Sequence, residues 1–185
     1  MNPIVHEIEN NSGQEEFEMG EFASHRAALL AERIEEGAAR LATFVETLSD
    51  AEWNTVVRES EGRGRTVGVT VHHVASVYPI EVDLARAIGS GKAVTEVTWE
   101  AVADMNGNHS KENGSVAKAA ALQLLAKNSR EAAAAVRLFT DEQLDTAAPF
   151  GLSYGAPVTA QFVIEDHALR HSWHHLAKIK RALGR

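Results

Sequence analysis

The sequence predicts an all-α fold, a bundle of four long helices in one domain. Three observations predict it. Four stretches carry apolar residues at the three-and-four spacing of a helix, their connections are short, and no stretch alternates as a half-buried strand does. With 185 residues, 44% apolar and 24% charged, the chain can bury one sizeable core.

Residues 1–20 are polar and acidic without periodicity and read as a flexible lead-in, which leaves 21–185 as the bundle domain. Ala, Leu, Glu and Arg, all good helix formers, fill the stretch from Glu21 to Leu48. Within it Leu30, Ile34, Leu41, Val45 and Leu48 recur at helical spacing. Ser49, Asp50 and Glu52 form a cap for a short turn. SEGRGR, residues 60–65, reads as a loop, and Thr66 as the N-cap of a second helix running to about Ile88. Pro79 lies inside that helix and predicts a kink, because its ring removes a donor.

Residues 92–114 are less regular, and NGNHSKENG (106–114) reads as a break, or as a helix interrupted by a loop. Ser115 to Phe139 is alanine-rich and helical, and Thr140-Asp141-Glu142 restarts a turn. APFGLSYGAP (148–157) is a turn-rich linker. Pro157 suits a first helical position, so the last helix is predicted from there to about Leu183.

Charge and composition exclude several functions. A net charge of −8 without a basic run argues against nucleic acid as a partner. With no cysteine, disulfides, thiolate nucleophiles and cysteine zinc sites are out. The first residues lack a basic start before an apolar run, and no apolar stretch has the length of a membrane span. The expectation is a cytoplasmic protein. The chain has no GxxxxGK[ST] or HExxH pattern.

The chemistry lies in the histidines. HALRHSWHHLAKI, residues 167–179, holds four of the nine. On a helical wheel His171 and His175 share a stripe with Ile164, Ala168, Ile179 and Ala182. His167 and His174 point elsewhere, towards Arg170, Lys178 and Arg181, and are expected to be solvated, as is His25. In the second helix His73 shares a face with Val69, Val77, Ile80, Leu84 and Ala87, whereas His72 lies towards Asp83 and Arg86 and is expected to be wet. Imidazoles at i and i+4 can chelate one divalent ion, and His73 from a facing helix would complete a three-histidine set. Such a set leaves positions open for water or substrate and suits Zn, Ni, Fe or Co. His109 could close over the site from a third helix.

At these residues the chain resembles the DinB/YfiT-like family of metal-dependent enzymes, which includes the mycothiol-dependent maleylpyruvate isomerase N-terminal domains. RTVGVTVHHVASV resembles the family's second-helix motif, whose ligand histidine falls on His73. HSWHHLAKI resembles its fourth-helix motif, whose ligands fall on His171 and His175. LSDAEW and FTDEQL resemble the caps that follow its first and third helices. One departure is Lys178, where many members carry Gln. The resemblance covers nearly all of the chain beyond residue 20. It implies an up-and-down four-helix bundle with a long crossover, a metal in a pocket towards one end, frequent homodimers, and activities on low-molecular-weight thiols.

The expected function is therefore enzymatic. A divalent metal on His73, His171 and His175 would activate water or a low-molecular-weight thiol towards a small-molecule substrate. Val69, Val77 and Ile164 are the expected apolar walls, and Glu81, Tyr78 and His109 the candidate catalytic assistants. Glu81, about two turns beyond His73, reads more readily as a solvated carboxylate. Trp99 and Trp173 are expected in the core, and Phe150 and Tyr154 at the pocket mouth or packing the bundle end. The alternatives are a non-catalytic metal- or ligand-binding bundle and a dimerisation scaffold that tolerates its histidines.

Overall fold

Four long helices dominate the computed structural model, which describes residues 24–58 and 64–185. The predicted lead-in, the helix start at Glu21 and most of the SEGRGR loop fall outside the described residues. The elements in order are α1 (His25–Glu46), α2 (Asp50–Trp53), β1 (Val56–Arg58), β2 (Gly64–Thr66), α3 (Val67–Gly89), α4 (Trp99–Glu112), α5 (Lys118–Val136) and α6 (Asp141–Asp145). There follow β3 (Ala147–Pro149), β4 (Pro157–Thr159), α7 (Ala160–Val163), a π-helical turn (Ile164–Leu169) and α8 (Arg170–Ala182). The last three are one continuous helix in three segments. With α1, α3 and α5 it makes the four-helix bundle.

Caps set most helix starts. Ser24 Oγ accepts from the Ala27 amide at 3.0 Å and opens α1. Ser49 with Glu52, and Thr140 with Gln143, form reciprocal capping boxes at α2 and α6. The core lies between α1, α3, α5 and the last helix. α3 is buried on nearly every side, through Val67, Val71, Val74, Tyr78, Val82 and Ala85 among others.

Pro79 does not interrupt α3, which runs through it. A proline cannot bond the carbonyl four residues back, here that of Ala75. The buried Asn128 of α5 takes over, its Nδ2 donating to Ala75 O at 2.8 Å. A neighbouring helix thus supplies the donor that the proline lacks.

The structure departs from the sequence reading in three connections. β1 pairs antiparallel with β2, with Val57 opposite Arg65, so the end of the predicted loop is strand. NGNHSKE is helix rather than a break. α4 is opened by Thr98, whose Oγ1 accepts from Ala101 N at 3.2 Å, and it continues through Gly107 to Glu112. Pro157 opens a strand rather than a helix. It faces Pro149 across the β3–β4 pair, where neither ring has to donate. The turn between those strands uses left-handed backbone at Tyr154 (φ 57°) and Gly155 (φ 81°). The last helix starts at Ala160, capped by Thr159 Oγ1. No helix among the described residues is long and apolar enough to cross a membrane.

Candidate metal centre

His73, His171 and His175 come together between α3 and α8. One ring nitrogen from each lies within 4.8 Å of the others, and no further His, Cys, Asp or Glu joins the group among the described residues. The Nε2 atoms of His73 and His171 are 3.2 Å apart. The rings of His171 and His175, one turn apart on α8, stack with centroids at 4.8 Å. His73 and His175 are buried, and His171 is partly exposed.

Glu81 closes the arrangement from behind. It is buried, and its Oε1 meets Nδ1 of His171. That contact is attractive when Nδ1 carries the proton, which leaves the Nε2 lone pair aimed at His73. The expectation of a solvated Glu81 was wrong because α3 is enclosed almost all round, so position 81 faces the last helix rather than water. Glu81 Oε2 and His175 Nδ1 are buried with no hydrogen-bond partner among the described residues.

Electrostatics hold the two buried rings, His73 and His175, neutral. Burial, then the neighbouring His171, pushes the His73 pKa down to about 2. Burial also carries His175 well below the usual histidine range. An imidazole must be unprotonated to bind a metal, and these two are so at neutral pH. Three nitrogen donors, one oriented by a carboxylate and one with an orphaned ring nitrogen, fit a divalent transition ion.

The other candidates sit elsewhere. Tyr78 does not reach the site. It is fully buried, and its hydroxyl pairs with Ser172 Oγ at 2.6 Å, which ties α3 to α8 beside His171. His109 lies behind the triad, its Nε2 2.9 Å from Nδ1 of His72 and its ring 5.5 Å from that of His73. His72 is accordingly half-buried against α4 rather than turned to Asp83 and Arg86, which pair with each other at 3.2 Å. His25 and His174 are exposed, as expected, and His174 stands at the edge of the cavity beside the triad.

A cavity of about 550 Å³ adjoins the triad. Its apolar lining includes Val77, Ile80, Leu84, Val102, Met105 and Leu152. Val69 and Ile164, expected as walls, are not part of it; both are buried in the helix packing. Trp99 is no core residue. It is 53% exposed, lines the cavity and donates from Nε1 to Leu152 O at 3.0 Å. Trp173 is half-buried over α1, under the Arg40 guanidinium. Phe150 is fully buried and Tyr154 is 90% exposed, and neither lines the cavity.

His167, expected in solvent, also lines the cavity. Its ring stands edge-on to Phe150, and burial lowers its pKa. The π-helical turn explains the error. The wheel assumes a uniform α-helix, whereas the wider turn over Ile164–Leu169 shifts the phase of the residues in it relative to α8. The sequence did hold a signal, since His167, His171 and His175 follow one another at i, i+4 and i+8.

The model of the DinB superfamily matches residues 23–179. Among solved structures, YfiT from Bacillus subtilis superposes with a TM-score of 0.67 at 22% sequence identity, covering 89% of this chain and 91% of that one. It is described as a probable metal-dependent hydrolase with an unusual four-helix bundle topology. The likeness at this identity is one of fold. No curated protein matches the chain.

Proposed function

Because the chain belongs to the DinB superfamily, we propose that it is a metal-dependent enzyme acting on a small molecule. His73, His171 and His175 hold one divalent transition ion, one of Zn, Ni, Fe or Co. The observation that carries this reading is the 3.2 Å between the Nε2 atoms of His73 and His171, with Glu81 on the opposite nitrogen of His171. Two nitrogens bound at 2.0–2.1 Å to one tetrahedral ion stand roughly 3.3 Å apart. The chain supplies three donors and leaves the remaining positions to molecules from the cavity.

When bound, the ion supplies Lewis acidity, which lowers the pKa of a water or a low-molecular-weight thiol entering the cavity. Glu81 keeps the His171 ring in one tautomer and orientation. His167, unprotonated at neutral pH and on the cavity wall, can take the proton that the nucleophile gives up. Hydrolysis by water is the first reaction in this reading, supported by the description of YfiT. Transfer or isomerisation with a thiol cosubstrate is the second. The reading also includes a cytoplasmic homodimer.

The test is elemental analysis of protein purified without a histidine tag. It should carry about one metal per chain, and His171→Ala should lose it. Equal metal in the variant would overturn the site. A panel of glutathione, bacillithiol and mycothiol with electrophilic acceptors, run with and without metal beside simple ester and amide substrates, tests the reaction. Tight metal without turnover on any of them would favour a non-catalytic binding bundle.

A further inference from the structure

The cavity beside the triad has two unlike walls. The last helix contributes polar groups, among them His167, Arg170, His171 and His175. The facing wall is mostly apolar, with Glu81, Glu96 and Asn106 as polar members, and its apolar side chains come chiefly from two helices. On α3, Val77, Ile80 and Leu84 follow His73 along one stripe, the last of them three turns on, roughly 16 Å of helix. On α4, Trp99, Val102 and Met105 form a second stripe.

α4 buries none of its residues. Its apolar stripe faces the cavity, and Val102 also packs against the edge of the core. Three of the large exposed hydrophobic side chains, Ile80 at 45%, Trp99 at 53% and Met105 at 37%, stand on this wall. The Trp99 ring is held in place by its bond to Leu152 O. Scattered exposed apolar residues need no explanation, but a contiguous apolar wall facing polar groups inside a concavity marks a ligand site.

We propose that the cavity takes an amphipathic small molecule. An extended apolar body, an alkyl chain or aryl group, lies along the α3–α4 wall, and a polar reacting group reaches the imidazoles. The inference rests on the metal reading above for the position of the reacting end. The apolar wall stands on its own geometry. A volume of about 550 Å³ is within the usual range for small-molecule sites. Substrates with short polar bodies would leave the wall wet and bind weakly.

The test is calorimetry on the full chain with two probe series. Zinc-loaded protein is titrated with n-alkyl hydroxamates from acetyl to octanoyl, and zinc-stripped protein with n-alkanols from butanol to octanol. Affinity should rise roughly three- to fourfold per methylene in both series. Ile80→Asp and Met105→Asp alter positions that are already partly exposed, on two different helices, and each should flatten the rise. Affinity independent of chain length, or a rise that survives in both variants, would overturn the proposal. If zinc fails to bind while the alkanol series keeps its rise, the metal reading falls and the apolar site stands.

Discussion

Removing the carboxylate of Glu81 should weaken metal binding without unfolding the protein. Glu81 Oε1 is bonded to Nδ1 of His171, so it decides which nitrogen of that ring presents its lone pair to His73. In Glu81→Ala the ring loses the carboxylate that anchors Nδ1 and can rotate or take the other tautomer. Partners of this kind are worth 10- to 100-fold in metal affinity, about 1.4–2.7 kcal/mol. Glu81 is 5% exposed and meets the ring directly, so the alanine variant should lie near the upper end. Glu81→Gln keeps an acceptor and loses the charge, and should lie near tenfold. The assay is competition for Zn(II) against a chromophoric chelator at pH 7.5, with circular dichroism confirming the helices. If Glu81→Ala bound zinc within twofold of the parent while His171→Ala lost it, the orienting role would be refuted. If neither variant changed affinity, the three-histidine site itself would be wrong.

Three further outcomes follow from the structure. The zinc-free protein should lose stability in mild acid. His73, pushed down to about 2, and His175, carried well below the usual range, both have folded pKa values depressed below the unfolded 6.5, so the unfolded chain binds more protons as pH falls through 6.5. Each costs about 1.4 kcal/mol per pH unit in that window, so the two together remove about 3 kcal/mol between pH 7.5 and 5.5. Urea midpoints at the two pH values check this, and equal stability would contradict it. Tyr78→Phe should cost about 1–2 kcal/mol in urea, because Ser172 Oγ loses its buried partner, and should leave zinc affinity unchanged. A large loss of zinc affinity would put Tyr78 back in the site. Gly151→Ala should destabilise by about 1–3 kcal/mol, since a Cβ there would stand 2.3 Å from Val97 O and 2.7 Å from Thr95 O. The same change pushes on the Val97 and Leu152 wall, so thermal melts and the alkanol titration should both register it.

Local signals in the chain were enough for the four long helices in outline and for the inward faces of His73, His171 and His175. The capping residues Ser49, Thr66 and Thr140 act within one turn, and apolar spacing reports which face a helix turns inwards, so both can be read before any partner is known. His73, His171 and His175 were placed on inward faces in this way, and the structure brings those faces together. What remained hidden depends on contacts between distant residues. Pro79 keeps its helix because Asn128 of α5 bonds Ala75 O, a repair that no local pattern announces. Glu81 is buried because the last helix lies across it. Pro157 is a strand residue because Pro149 faces it.

His167 shows the limit most clearly. Its spacing from His171 was visible, but the π-helical turn changed the angle that the spacing implied. The α4 stripe of Trp99, Val102 and Met105 was legible as residues, yet its use as a cavity wall depends on where α3 and the last helix stand. The sequence by itself determined where the four long helices run and which of their stripes are apolar, because those properties repeat within a turn or two. Tertiary structure alone decided which faces meet, what is sealed from water and where a cavity is left open. Those outcomes depend on packing between segments tens of residues apart.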